Sequence, residues 1–155
     1  MKQKTNPRRD FIKKTSLGAA GLTIGAMGLP AKSYKRIMGA NDRLTVAIAG
    51  LGRRLGAFPE PIALPESNVE LLYLCDVMES QMSKAAEVFS KVIDYKPRLE
   101  KDFFKVIADK DLDVLINATP DHWHAPGTWL ANEAGKHVYV EKPCSHNPYE
   151  GELLI

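Results

Sequence analysis

Cysteine is scarce in this chain. Cys75 and Cys144 are the only two in 155 residues, far apart, with no C-x-x-C and no histidine pairing around them. That argues against a disulfide framework or a structural zinc cluster as the organising feature, and leaves Cys75 as a small buried hydrophobe and Cys144 as an incidental thiol. Long apolar runs are also missing: the weakly apolar, Gly/Ala-rich stretch 15–29 falls short of the ~20 residues that a bilayer-crossing helix requires. There is no internal repeat, and no low-complexity tract beyond that stretch, so a repeat array is excluded. Nor is there a dominant charge. The formal net charge is +2, but residues 1–33 carry seven Lys/Arg against one Asp, so residues 34–155 are acidic. The basic balance therefore belongs to the N-terminal stretch and gives no argument for a nucleic-acid partner. With 45% apolar and 26% charged residues the chain has the composition of a globular protein with one core.

The N-terminal stretch reads "NPRRDFIKKTSLGAAGLTIGAMGLPAKS". Paired Arg8 and Arg9, then Phe11, Lys13 and Lys14, precede a mild apolar run whose glycines lower helicity by about 1 kcal/mol each relative to Ala. The order R-R-x-F-I-K resembles the twin-arginine export signal, which implies a leader over 1–33, cleavage near Ala31–Ser33, the twin-arginine translocon as a partner and a periplasmic or otherwise exported destination. That route carries folded proteins, often with a cofactor already inserted. A polar linker over 34–43 would follow.

Beyond the linker, short apolar runs alternate with helical patterns. "TVAIAG" (45–50), "VELLYLCD" (69–76), "LDVLINA" (112–118) and "HVYVE" (137–141) read as buried strands. Residues 80–93 read as an amphipathic helix with Met82, Ala85, Ala86, Phe89, Val92 and Ile93 on one face and Ser80 as N-cap. A shorter helix is expected over 102–110. Another is expected over 125–135, with Pro126 in its first turn and Gly135 as its stop. A last helix opens at Asn147 as N-cap and Pro148 at its first position. Such alternation gives an α/β class with a doubly wound parallel sheet of the Rossmann type over 44–155.

In such a sheet ligands sit beyond the carboxyl ends of the strands. Gly50 and Gly52 follow the first strand, where a tight turn and a close backbone approach let amide N–H groups hold a pyrophosphate. Asp76 closes the second strand, placed to accept hydrogen bonds from ribose hydroxyls. The fingerprint is imperfect: the third glycine of G-x-G-x-x-G falls at Leu55, Gly56 comes one residue late, and Pro59, Pro61 and Pro65 interrupt the following helix. Asp76 favours NAD, because a 2′-phosphate would meet like charge there, while Arg53 and Arg54 could offset that repulsion and leave NADP open. "TPDHWH" clusters Asp121, His122 and His124, but a His-x-His pair without an assured third ligand is not a metal site, so no metal is expected. Trp123 and Trp129 read as packing residues, and His137 and His146 as structural or solvent-facing.

The residues "ATPDHWHAP" (118–126) and "HVYVEKPCSHN" (137–147), together with the glycine turn and Asp76, resemble the N-terminal dinucleotide-binding domain of the Gfo/Idh/MocA oxidoreductases, the family of glucose–fructose oxidoreductase and inositol dehydrogenase. The resemblance covers about residues 42–155. It implies that Lys142 stands beside the nicotinamide and the reacting hydroxyl as the catalytic cation, and that Pro143, through a cis bond, aims it into the cleft. It also implies that Glu141 pairs with a neighbouring cation or the ribose. Thr119 and Pro120 would contact the nicotinamide ribose or its phosphate, and His124 would cap the following helix or line the site. Family members act on sugar-like small molecules and carry a second α/β domain with dimer contacts, so a homo-oligomer is implied. NAD-dependent glycoside hydrolases share the same superfamily and remain an alternative, as does a non-catalytic nucleotide-binding module. The terminal "GELLI" reads as a helix interrupted on apolar residues, and the expectation is a truncated Rossmann domain lacking the second domain and inactive by itself.

Overall fold

The structure, a computed structural model, describes residues 43–155. The leader and linker expectations over 1–43 lie, but for Arg43, outside the described residues. Five parallel strands form one sheet in the order β3-β2-β1-β4-β5: β1 Leu44–Ala49, β2 Val69–Cys75, β3 Arg98–Glu100, β4 Val114–Asn117 and β5 His137–Val140. The flanking helices are α1 Pro59–Ala63, α2 Glu79–Phe89, α3 Phe103–Ala108, α4 Asp121–Glu133 and α5 Pro148–Leu153, with single 3₁₀ turns at Leu55–Ala57 and Pro65–Ser67. The Rossmann-type α/β architecture expected from the sequence is therefore the one observed.

Central β1 is buried on both faces, as a parallel strand covered by helices must be. Its period of two sends Ile48 into one core layer with Leu51, Leu55, Phe58, Met82 and Phe89, and sends Ala47 and Ala49 into the other with Val106, Ile107, Leu115 and Ala131. In β2 that period breaks: Leu71 and Leu74, three apart, share the first layer. A register shift explains it, because Val46 pairs with Leu71 and Ala47 with Tyr73, leaving Leu72 as an extra residue.

Several boundaries differ from expectation, each for a local reason. The fifth strand, β3, is a three-residue edge piece after Pro97, too short and too polar to show an apolar alternation. Helix α2 starts at Glu79, and Ser80 does not cap it: Met78 occupies the cap position with no side-chain cap bond, and the Asp76 carboxylate takes the Met78 N–H instead. The helix stops at Phe89, leaving Val92 44% exposed. Helix α4 starts at Asp121 rather than 125, so "DHWH" is its first turn and Pro126 lies inside it as the sixth residue. Pro120 is extended at the cap position, and the helix begins directly after it. Asp102 caps α3 by accepting from the Phe104 N–H at 2.9 Å. At α5 Asn147 accepts from the Glu150 N–H at 3.0 Å, with Pro148 at the first position as read. Gly135 ends α4 with φ +76°, a conformation glycine adopts without strain.

Candidate functional site

The chain crosses from β1 to β2 and β3 on one side, then returns to β4 on the other, so a crevice opens beyond the carboxyl ends of β1 and β4. An open cleft of about 970 Å³ lies there. Its lining brings together Gly50, Gly52, Arg53, Arg54, Asp76, Thr119, Pro120, His124, Glu141, Lys142 and Pro143, every residue the sequence singled out for dinucleotide or catalysis. It also includes residues that sequence reasoning missed or set aside: Val77, Met78, Gln81, Ala118, Asp121, His122 and His146. His146 is exposed as expected, yet it faces this cleft. Val77 and Met78 directly follow Asp76, and two exposed apolar side chains after a strand-terminal acid were the signal available for them.

The elbow after β1 is built by close backbone approach. Gly50 has φ +87° and its N–H donates to the Cys75 carbonyl at 2.9 Å. A Cβ there would stand 2.5 Å from the Ala118 carbonyl group and the Thr119 nitrogen, so only glycine fits. Gly52 differs: nothing lies within 4 Å of where its Cβ would be, so its open face looks into free space. Leu55, where the fingerprint asks for a third glycine, instead turns into the core at 4% exposure. The prolines leave only a 3₁₀ turn and the five-residue α1 after the elbow, so backbone amides rather than a long helix dipole are what the loop offers an anion. Among the described residues no acceptor meets the amides of Gly52, Arg53 or Arg54.

Asp76 is held by the loop it faces: Oδ2 accepts from the Leu51 N–H at 2.8 Å and Oδ1 from Met78 at 2.9 Å. Each oxygen keeps a further lone pair for a ribose hydroxyl. The Cys75 thiol just before it is buried, which pushes its pKa up to about 12 and makes it chemically inert at neutral pH. Asn117, wholly buried at the end of β4, organises the opposite wall. Its Nδ2 donates to the His124 carbonyl at 3.0 Å and to Thr128 Oγ1 at 3.3 Å, and its Oδ1 accepts the Thr119 hydroxyl at 2.6 Å. A polar residue closing the apolar run "VLIN" was the sequence signal for it.

Lys142 is exposed at the end of β5, and the Lys142–Pro143 bond is cis. Its neighbours are held on both sides. Glu141, 6% exposed, pairs with Arg54, whose Nε and Nη2 stand 3.0 and 2.9 Å from Oε1; this is the neighbouring cation. On the other side His124 Nδ1 lies 2.6 Å from the Pro143 carbonyl, so that nitrogen carries the proton. His124 does not cap the helix; it is the fourth residue of α4, 2% exposed, and its Nε2 has no protein partner among the described residues. Asp121 and His122, by contrast, are exposed on the same turn, and among the described residues no three His, Cys, Asp or Glu side chains form a metal-binding group. Trp123 packs edge-on against Phe103, centroids 6.3 Å apart, while Trp129 is 52% exposed.

Unmet loop amides, the open face of Gly52, a carboxylate at the end of β2 and a cation at the end of β5 fit an adenine dinucleotide laid across the crevice. Comparison with known proteins agrees. A Shewanella baltica protein named glycosyl hydrolase family 109 protein is 28% identical, the match covering 89% of this chain and 34% of that protein. An alpha-N-acetylgalactosaminidase of Shewanella oneidensis is 29% identical over the same shares. The chain thus spans about a third of the length of the curated relatives it matches. Among solved structures, scyllo-inositol dehydrogenase from Lactobacillus casei, with bound NAD(H) and scyllo-inositol, superposes with a TM-score of 0.62 at 23% identity, covering 72% of this chain and 32% of that one. The family described as "Oxidoreductase family, NAD-binding Rossmann fold" matches residues 44–155, and this chain belongs to that Gfo/Idh/MocA family.

Proposed function

We propose that this chain supplies the dinucleotide-binding and lysine-bearing part of an exported oxidoreductase acting on a secondary alcohol of a sugar or cyclitol. The observation that carries the reading is the meeting of the glycine elbow, Asp76 and Lys142 in one cleft. The amides of Gly52 and Arg53 hold the pyrophosphate, Asp76 the adenosine ribose, and Thr119 and Pro120 the nicotinamide ribose. Bound NAD supplies the hydride acceptor. Lys142 donates a hydrogen bond to the reacting hydroxyl oxygen and stabilises alkoxide character as the carbinol hydrogen leaves with its electron pair, the hydroxyl proton passing to a general base. NAD is preferred over NADP, since Asp76 repels a 2′-phosphate and Arg54 is engaged by Glu141, leaving Arg53 as the offsetting cation. Calorimetry with NADH and NADPH on this chain tests the reading: tighter NADH binding is expected, and no heat with either would overturn it.

A second reading is favoured by the relatives' names: a glycosidase in which oxidation, elimination and re-reduction leave no net redox change. A protein joining this chain to a substrate-holding domain, assembled as a homo-oligomer, would separate the two. Nitrophenol release from a p-nitrophenyl glycoside without NADH accumulation marks the glycosidase, and NADH accumulation the dehydrogenase. Export rests on the Arg8–Arg9 leader. A reporter fused after residue 33 should reach the periplasm only with an intact twin-arginine translocon, and should stay inside the cell with Arg8→Lys/Arg9→Lys.

A further inference from the structure

Lys142 sits between two residues that are each tied to a different part of the cleft wall. Glu141 is bound to Arg54, which is 87 residues earlier and part of the loop whose unmet amides face the cleft. The Pro143 carbonyl is bound by the buried His124 of α4. The burial of the ion pair is lopsided: the Glu141 side chain is 7% exposed and that of Arg54 57%. A surface pair of this length would contribute little, but a carboxylate this desolvated depends on its one guanidinium. Two of the three guanidinium nitrogens, Nε and Nη2, converge on the same oxygen, so the contact fixes Arg54 in orientation as well as position.

We propose that the Arg54–Glu141 pair is a strap joining the dinucleotide loop to the segment that carries Lys142, so that filling the loop and placing the ammonium are linked. The proposal rests on the dinucleotide reading above and adds a positioning role for two residues that need not touch the reacting atoms. Pulling on the loop moves Arg54, and Arg54 moves the residue next to Lys142. His124 anchors the other side, so displacement at Glu141 turns the lysine rather than carrying the whole segment away.

The test is a double-mutant cycle on this chain, Arg54→Met, Glu141→Gln and both together, with two measurements. The first is NADH affinity. The second is the acylation of Lys142 by an N-hydroxysuccinimide ester, read by mass spectrometry relative to the exposed Lys84 in the absence of nucleotide. Arg54→Met strands the buried carboxylate and should weaken NADH binding about tenfold, with a shift of about threefold in the Lys142/Lys84 ratio. Glu141→Gln frees an arginine already half in water and should do less, and the double variant should return to the Glu141→Gln level. Should Arg54→Met fail to fold, Arg54→Lys, which keeps the charge but loses the fork, should give an intermediate change in both measurements. Additive effects, or an unchanged Lys142 ratio in a folded Arg54 variant, would overturn the strap while leaving nucleotide binding intact. A wild-type chain that binds no NADH would instead overturn the dinucleotide reading and the linkage to it, and the labelling arm would then show only whether Arg54 positions Lys142.

Discussion

At the amino-terminal rim of the sheet polar groups are spent on one another. Asp113 accepts the Thr45 N–H and hydroxyl, both at 2.8 Å, and the Thr45 hydroxyl also reaches the Asp111 carbonyl. Lys136 donates to the carbonyls of Asp109 and Leu112, and Asp109 accepts from Tyr73 at 2.7 Å and Arg98 at 3.0 Å. At the carboxyl rim polar groups are left open to the cleft: loop amides without acceptors and an exposed Lys142, while the buried Nε2 of His124 has no partner among the described residues. The two ends of one sheet therefore differ less in composition than in whether their polar groups are satisfied internally. The closed rim ties the sheet together, and the open rim leaves polar groups available to a ligand.

The sharpest way to break that contrast lies in the two elbow glycines. Gly50→Ala forces a Cβ into the 118–119 backbone and a positive φ onto alanine, so a loss of about 3 kcal/mol in urea unfolding is expected, together with loss of NADH binding. At the closed rim, Asp113→Ala leaves the Thr45 N–H without its acceptor and should cost about 1 kcal/mol, with NADH affinity unchanged by calorimetry. Gly52→Ala meets no protein atom; stability should stay within about 0.5 kcal/mol, while the added methyl should weaken NADH binding about tenfold. A Gly52→Ala chain that binds NADH normally would show that the pyrophosphate lies elsewhere.

Acid should discriminate between the rims as well. The hydroxyl of Tyr73 lowers the Asp109 pKa and the backbone N–H of Thr45 lowers that of Asp113, below ordinary carboxylate values. Groups depressed on folding contribute stability at pH above their unfolded values, and that stability is lost as pH falls through the folded ones. Unfolding midpoints measured downward from pH 5 should therefore fall less steeply in an Asp113→Asn variant than in the wild type. The smallest effect concerns the thiols. At pH 8 a disulfide reagent should react with exposed Cys144 and spare Cys75, whose buried thiol has its pKa pushed up to about 12, until the chain unfolds.

The legible part of this protein was the part written in local chemistry. Glycines after an apolar run, an acid closing the next and a lysine before proline can be read one at a time, because each marks a strand end, and strand ends of a parallel sheet share a rim. The edge strand β3 was not legible, since three residues with a single apolar one, Leu99, are too few to carry a period and pairing with β2 alone defines them. The α4 start was misread because Pro126 resembles a first-turn proline, whereas the helix had already begun directly after the extended Pro120. Ser80 lost the capping role to position, Met78 lying at the helix boundary instead.

By itself, then, the sequence determined the alternation of strands and helices, the fold class and the identity of the groups at the strand ends, because burial periodicity and turn chemistry act over a few residues. Which of those groups are free and which are already taken was decided only by tertiary structure. Arg54 and Glu141 are 87 residues apart, and His124 meets Pro143 across 19. Pairings of that range depend on the winding order of the sheet and on the burial it creates, and neither is encoded in any short stretch of chain.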